Sequence, residues 1–427
     1  MRQLSRMVGA LAFVAAQAKA QGSVSDRIAR VHDGVVRLEY DSRAGACGDG
    51  KRMMSYRSAM FAKDFTGFGR VNDRRCVAGP VRVSLVVAGG RVTQLQTQIG
   101  GAWPSPVAPV TDIGIVPATE AASYFFAHVA EMEAISSRDR LLLPAVFADA
   151  NVIAPLLSIA RDDKRAIPTR RQAVQWLGLL GDANIVPALV ALAKGASEAE
   201  DAKDGRSLAG SATSALAMVE DAAGIPALMQ LARAGTVSVR RNAVFWLAQN
   251  GDPRGLTVIH TVIEDAREDE RVRKHAIFSL GNSDEMPASE QVYLRSIFGR
   301  LDTDGLKEAV LQANANERSD GGAWLLGRAK DSRESLKVRK AALFWAGQRD
   351  ATSTSDLVAV YRGLDDRTLQ EHAIFVISQR DDDAAVTALM TIARNDPDAK
   401  MRGKALFWLA QKHDPRATKL IGELVLK

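Results

Sequence analysis

Histidine and cysteine are the side chains in this sequence best suited to chemistry near neutral pH, and their spacing decides which chemistry is open to them. His32, His128, His260 and His413 stand apart, while His275 and His372 occupy matching places in His275-Ala276 and His372-Ala373. No Gly-x-Ser-x-Gly elbow, His-Glu-x-x-His pair or phosphate loop occurs. The acidic runs Glu268-Asp269-Glu270 and Asp381-Asp382-Asp383 fall between apolar segments and read as solvated loops and helix starts. Cys47 and Cys76 have only His32 near them, a poor zinc set. In an exported chain such a pair closes as a disulfide, stabilising its domain by about 3 kcal/mol in the chain-entropy model. The residues therefore nominate no catalytic centre, no cofactor and no metal site.

The expectation of export comes from the N-terminus. Arg2 and Arg6 precede the apolar run Met7 to Ala16, and Ala18-Lys19-Ala20 follows, the order of a cleavable secretory signal with cleavage after Ala20. The apolar run is too short to span a bilayer, and no later stretch is long enough. A secreted or periplasmic chain is expected. Of the 56 basic residues, Arg2, Arg6 and Lys19 leave with the signal, so 53 face 50 acidic residues. So small a surplus argues against nucleic acid as partner.

Two textures follow. Residues 21–117 read as a small β-rich domain of four or five strands. Val35 to Tyr40 is strand-like, and Val81 to Val87 and Arg91 to Ile99 alternate on either side of Ala88-Gly89-Gly90, as a hairpin does. The Pro-rich stretch Trp103 to Pro109 reads as a linker or edge element. Residues 118–427 are helical and repetitive. Val239-Arg240-Arg241-Asn242-Ala243-Val244-Phe245-Trp246-Leu247 returns around Ala342 and again around Ala405. Aligned on the small residue, the units sit at Ala173, Ala212, Ala243, Ala276, Ala309, Ala342, Ala373 and Ala405, with spacings of 31 to 39 residues. Such a period predicts a solenoid of about eight helical hairpins, each unable to bury its apolar face without its neighbours.

These units resemble HEAT-like repeats of the short type first described in phycobilisome lyase subunits. The resemblance covers residues 119 to 427 and implies a mainly α fold, an α-solenoid behind the small disulfide-bearing domain. It also implies that an Arg column (Arg170, Arg240, Arg273, Arg339, Arg402) bonds between repeats, with Asp182, Asp252 and Asp350 as partners. The column lapses at Ala209, Leu306 and Gln370. Deoxyhypusine hydroxylases are HEAT-like enzymes whose di-iron site uses repeated His-Glu pairs; here alanine follows both His275 and His372, so the carboxylates are missing. A bilin lyase would hold its intermediate on a thiol, and the repeat region has no Cys.

On a helical wheel Val239, Ala243, Trp246 and Leu247 form one apolar stripe, and the Trp column (Trp176, Trp246, Trp345, Trp408) is expected in the core. Opposite lie a cationic column (Arg171, Arg241, Lys274, Lys307, Lys340), an aromatic one (Phe245, Phe278, Phe344, Phe375, Phe407) and an amide one (Gln249, Asn282, Gln348, Gln379, Gln411). The aromatics are expected to pack between adjacent repeats in preference to serving recognition, and the amides are the better surface candidates. Together these columns predict a non-enzymatic, exported scaffold that binds a protein or peptide. The competing readings are a hydrolase or lyase with a site between the β-rich domain and the solenoid, and an accessory sensor in envelope signalling.

Overall fold

The computed structural model describes residues 22–51, 54–56, 76–106, 108–133, 135, 141–195, 207–282, 288–315 and 321–425. The expected signal, residues 1–20, lies outside them. Packing divides the chain into two compact units, Met1–Leu228 and Met229–Lys427.

The first unit opens with α1 (Val24–Ala29), whose start is fixed by a Ser23–Asp26 capping box. Strands β1 (Gly34–Tyr40), β4 (Val81–Ala88), β5 (Arg91–Ile99) and β6 (Val110–Ile115) form one sheet in the order β5-β4-β1-β6, and β2 (Ala46–Gly48) pairs with β3 (Met54–Tyr56). The expected hairpin is β4–β5, turned by Gly89 and Gly90 at φ 58° and 72°. Two left-handed residues in succession are what a tight hairpin turn requires. Along β4, Val81, Val83, Leu85 and Val87 are buried while Arg82, Ser84 and Val86 are half-buried on the other face. The buried face packs on α2 (Ala118–Ala127), with Tyr40 and Phe125 rings 6.5 Å apart. The Tyr40 hydroxyl donates to the Pro144 carbonyl at 2.8 Å.

The Pro-rich stretch is more than a linker. Trp103 receives the guanidinium groups of Arg37 and Arg82 at 5.2 and 5.4 Å from its ring, and β6 then pairs parallel to β1. That strand is hard to read as alternation because its register shifts opposite Arg37 and Leu38 and it contains Gly114 at φ 78°. Cys47 on β2 and Cys76 form a disulfide with Cα atoms 5.2 Å apart. The remaining helices are α3 (Val129–Met132), α4 (Leu143–Val146), α5 (Ile153–Arg161), α6 (Ile167–Leu180), α7 (Val186–Lys194) and α8 (Leu208–Met218), with α9 (Ile225–Ala234) running across the division of units.

The second unit alternates two kinds of helix. Helices α10 (Val237–Asn250), α12 (Glu270–Gly281), α14 (Asp304–Ala313), α16 (Leu336–Gly347), α18 (Arg367–Ser378) and α20 (Ala399–Ala410) stack on one another. Between them in sequence come α11 (Pro253–Glu264), α13 (Ala288–Ile297), α15 (Gly321–Lys330), α17 (Thr354–Arg362) and α19 (Asp383–Asn395), and α21 (Pro415–Val425) follows the last. Each stacked helix begins at a side chain that caps it: Thr236, Asp269, Thr303, Ser335, Asp366 and Asp398. Such caps satisfy amide donors that the first turn leaves unbonded. The aligned alanines are buried at every unit except Ala309, which is half-buried.

The Arg column bonds differently from the expectation. Nε of Arg273 donates to the Ile263 carbonyl at 2.9 Å and Nε of Arg339 to the Ala329 carbonyl at 3.0 Å, in each case in the last turn of the preceding helix. In the first unit Arg170 reaches Ala160 in the same way, at 3.0 Å. Arg240 and Arg402 donate to Gly235 and Asp396 carbonyls at 2.5 and 2.8 Å. Gln370, a lapse in the sequence pattern, keeps the function by donating to the Leu364 carbonyl at 2.8 Å. Asp182 and Asp252 are occupied elsewhere, accepting from the amides of Asn184 and Arg254 to cap the helices that follow them. The carboxylates that do reach the column are Glu268, 2.9 Å from Arg240, and Asp302, 2.8 Å from Arg273.

Arg273 is 4% exposed, so its loss leaves a buried carbonyl without a donor. Arg273→Ala is expected to lower stability by about 3 kcal/mol, read as a drop in the urea midpoint. Arg273→Lys should recover only part of it, since a lysine lacks the planar fork. A midpoint unchanged in the alanine variant would show that the carbonyl contact is dispensable.

Candidate functional site

In the second unit, the face opposite the buried stripe of the stacked helices carries the predicted columns. Position and burial follow from the wheel. Taking the aligned Ala as 0°, the residues at −2, +2, +6 and −1 fall between about 160° and 260°, away from the packed side. Arg241 is exposed and makes no ion pair with any described residue. Lys274 and Lys340 are half-buried; the Lys274 ammonium lies 2.7 Å from Glu270, and the Lys340 carbonyl accepts from His372 at 3.1 Å. Phe344 packs edge-on to Trp345 with centroids 5.2 Å apart, and Phe375 lies 5.3 Å from Trp408. Asn282, Gln348, Gln379 and Gln411 are exposed and Gln249 is half-buried. Of these amides, Asn282 donates to the Phe278 carbonyl at 2.9 Å and Gln379 to the Ser378 hydroxyl at 3.2 Å.

The aromatic column is not core. Phe278 is 40% and Phe407 57% exposed, and Phe245, Phe344 and Phe375 are half-buried. The Trp column departs from expectation too: Trp176, Trp246, Trp345 and Trp408 are each half-buried. At +3 the side chain stands near 300°, on the flank of the buried stripe, so a large indole covers that flank instead of entering the core.

Two predicted residues, Arg241 and Lys274, meet at a hollow of about 520 Å³ across α10, α12, α14 and α16. Phe278 and Trp345 line its walls, and Gly305, Ala309 and Ala341 leave it space. Lys340, Phe344, Phe375 and the five amides of the column do not line it. Sequence reasoning missed Arg271, Glu308 and Gln312 and placed Trp345 in the core. The available signal was Gln312 at the Trp position next to Gly305 and Ala309; the column lapses as well at Ala215, Ser279 and Val376, which do not line the hollow.

His275 also lines the hollow, between Phe245 and Phe278 at centroid distances of 6.3 and 6.1 Å. Burial, helped by the nearby Arg241 charge, pushes it down to about 4, so it is neutral at pH 7. Burial lowers His372 as well. A second polar cluster joins α11 and α13: Nε2 of His260 lies 2.6 Å from Glu290, the His260 and Tyr293 rings stack at 3.7 Å, and the Tyr293 hydroxyl donates to Glu264 at 2.9 Å. Burial drives the Tyr293 hydroxyl well above the usual phenol range. Among the described residues, no group of three or more His, Cys, Asp or Glu is arranged to hold a metal ion. The strip offers donors, cations and apolar rings to a ligand.

The His275 environment has a pH consequence. Because its folded value lies below the unfolded one, the unfolded chain takes up the proton first. Its contribution to stability is fully present above about 6.5, falls as the pH drops towards about 4, and levels off below that. The carboxylates of Asp269 and Asp414, held down to about 2 by their arginine partners, lose their contribution only below the usual Asp range of about 3.8. His275→Gln should therefore flatten the urea midpoint between neutral pH and about 4. Parallel profiles for the two proteins would mean that His275 titrates normally.

The model for HEAT repeats matches residues 225–314, and that for the PBS lyase HEAT-like repeat matches residues 169–195. No curated protein is found to match the chain. Among solved structures, Kap121p is 14% identical over 68% of this chain at a TM-score of 0.38, and the chain spans only 35% of its length. The complex of CpcE and CpcF of phycocyanin lyase from Nostoc sp. PCC7120 is 16% identical, covering 65% of this chain and 96% of that one at a TM-score of 0.23. Human deoxyhypusine hydroxylase in complex with glycerol is 15% identical, covering 71% and 96% at 0.23. Likenesses this distant say nothing of what the chain binds. Both family matches fall within the repeat region, which is built of HEAT-like helical repeats.

Proposed function

We propose that this chain is an exported scaffold that captures a protein or peptide partner along the exposed strip of its second unit. The observation that carries the reading is the exposure of Phe278 and Phe407, at 40% and 57%, on the same helical face as Asn282, Gln348, Gln379 and Gln411. Large aromatics left on a surface, beside amides able to bond a backbone, are the composition of a recognition site. Export is supported by the N-terminal pattern and by the Cys47–Cys76 disulfide, a bond that persists in oxidising compartments. Among the described residues, no helix is long and apolar enough to cross a membrane.

The test is capture of envelope proteins by the exported chain and by a Gln348→Glu, Gln379→Glu variant. Both amides are exposed, so the variant should keep its thermal midpoint while losing a specific partner by about tenfold or more in affinity. Undiminished capture would remove the amide column from the binding surface.

A further inference from the structure

We infer that the hollow between α10 and α16 takes an acidic polypeptide segment, seating an apolar or aromatic side chain against Phe278 and Trp345 and its carboxylates on Arg241 and Lys274. This rests on the scaffold reading and narrows it to one class of partner. The size fits: about 520 Å³ lies within the range of sites that enclose a small ligand or a few side chains.

Charge selects the class. Arg241, Arg271 and Lys274 line the hollow with one carboxylate, Glu308; Glu308 is held by Lys337 at 2.9 Å and Arg271 by Asp269 at 2.8 Å. Arg241 has no ion pair with any described residue. The Lys274–Glu270 pair is half-buried, with 42% of each side chain open to solvent, so an incoming carboxylate can replace Glu270 at little cost. The uncompensated charge of Arg241, beside a lysine whose partner can be exchanged, thus sits where the apolar walls are, and it complements an anion that also carries apolar surface.

Gly305 shows how the site is built. A Cβ at this position would overlap the Lys274 ammonium and come within 2.6 Å of Glu270, the movable ends of two flexible side chains, so a larger residue would displace the lysine from its place across the hollow. The lining also argues for a peptide over a nucleic acid. A nucleic-acid strand presents a charge about every 3.4 Å and calls for cations at each step. Here the column Arg241, Lys274, Lys307, Lys340 turns acidic at Glu371, and Lys307 is held by Glu334 at 2.7 Å.

The experiment is fluorescence anisotropy of the full exported chain with three labelled peptides of one Phe- and Leu-containing frame, bearing Glu, Gln or Lys at the same positions, and with labelled oligo-dT. The Glu peptide should bind about tenfold more tightly than the Gln peptide, and salt should weaken it. Arg241→Gln and Gly305→Ala should each weaken the Glu peptide alone, and Arg241→Glu with Lys274→Glu should abolish its advantage, with thermal midpoints recorded for every variant. Equal binding of the Glu and Gln peptides, preference for oligo-dT, no binding of any peptide, or an Arg241→Gln variant indistinguishable from the parent would each overturn the proposal. The two readings separate in capture: a partner lost on Gln348→Glu, Gln379→Glu but kept on charge reversal at Arg241 and Lys274 leaves the scaffold standing and removes the acidic class. A partner kept by both variants removes both.

Discussion

A helix that ends against its neighbour exposes carbonyls that nothing in the helix can satisfy, and burying them unbonded is costly. In this chain the cost is met by one side chain reaching back. Arg170, Arg273 and Arg339 each donate to a carbonyl ten residues earlier, and Gln370 does the same over six. The contact is short-range in sequence, so it forms within a repeat, yet it fixes how one helix enters against the end of the last. The cap at the start of each stacked helix and the arginine near its first turn thus define both sides of the joint. Apolar packing can then proceed from a set angle.

That joint divides each stacked helix into two jobs. The stripe centred near the aligned alanine is committed to packing, and packing is tight enough that small residues are required. A Cβ at Gly281 would overlap Ala313, and one at Gly347 would overlap Val376. Only the opposite arc can vary in chemistry without disturbing the stack. It is on this arc that the cations, phenylalanines and amides recur, which is why the columns can be reasoned about as a surface.

Much of this was legible because a repeat states its pattern several times. The period located the helices, the alternation of Val81 to Val87 located the hairpin, and the shared segment of Cys47 and Cys76 pointed to their bond. What escaped has physical reasons. A column of arginines and a column of aspartates in one period look like partners, but the backbone carbonyls that in fact accept from Arg273 and Arg339 have no letter in the sequence. The Trp column looks like core because tryptophan is large and apolar, whereas its wheel position lies at the stripe's flank and leaves Trp345 half-buried. Strand β6 escaped because a register shift and Gly114 erase its alternation.

The hollow was the least legible feature, since it is made by what the repeats omit. Where four of the aligned units place tryptophan, the one at the hollow places Gln312, and Gly305 and Ala309 remove further bulk. A perfectly regular strip would present the same surface at each step and would hold a partner equally well in any register. An interruption abolishes that equivalence. Under the binding proposed above, a hollow that gathers Arg241 and Lys274 beside Phe278 and Trp345 at one place on the strip would give a bound chain a single best alignment, and the aromatic and amide columns on either side would then add affinity without having to supply specificity.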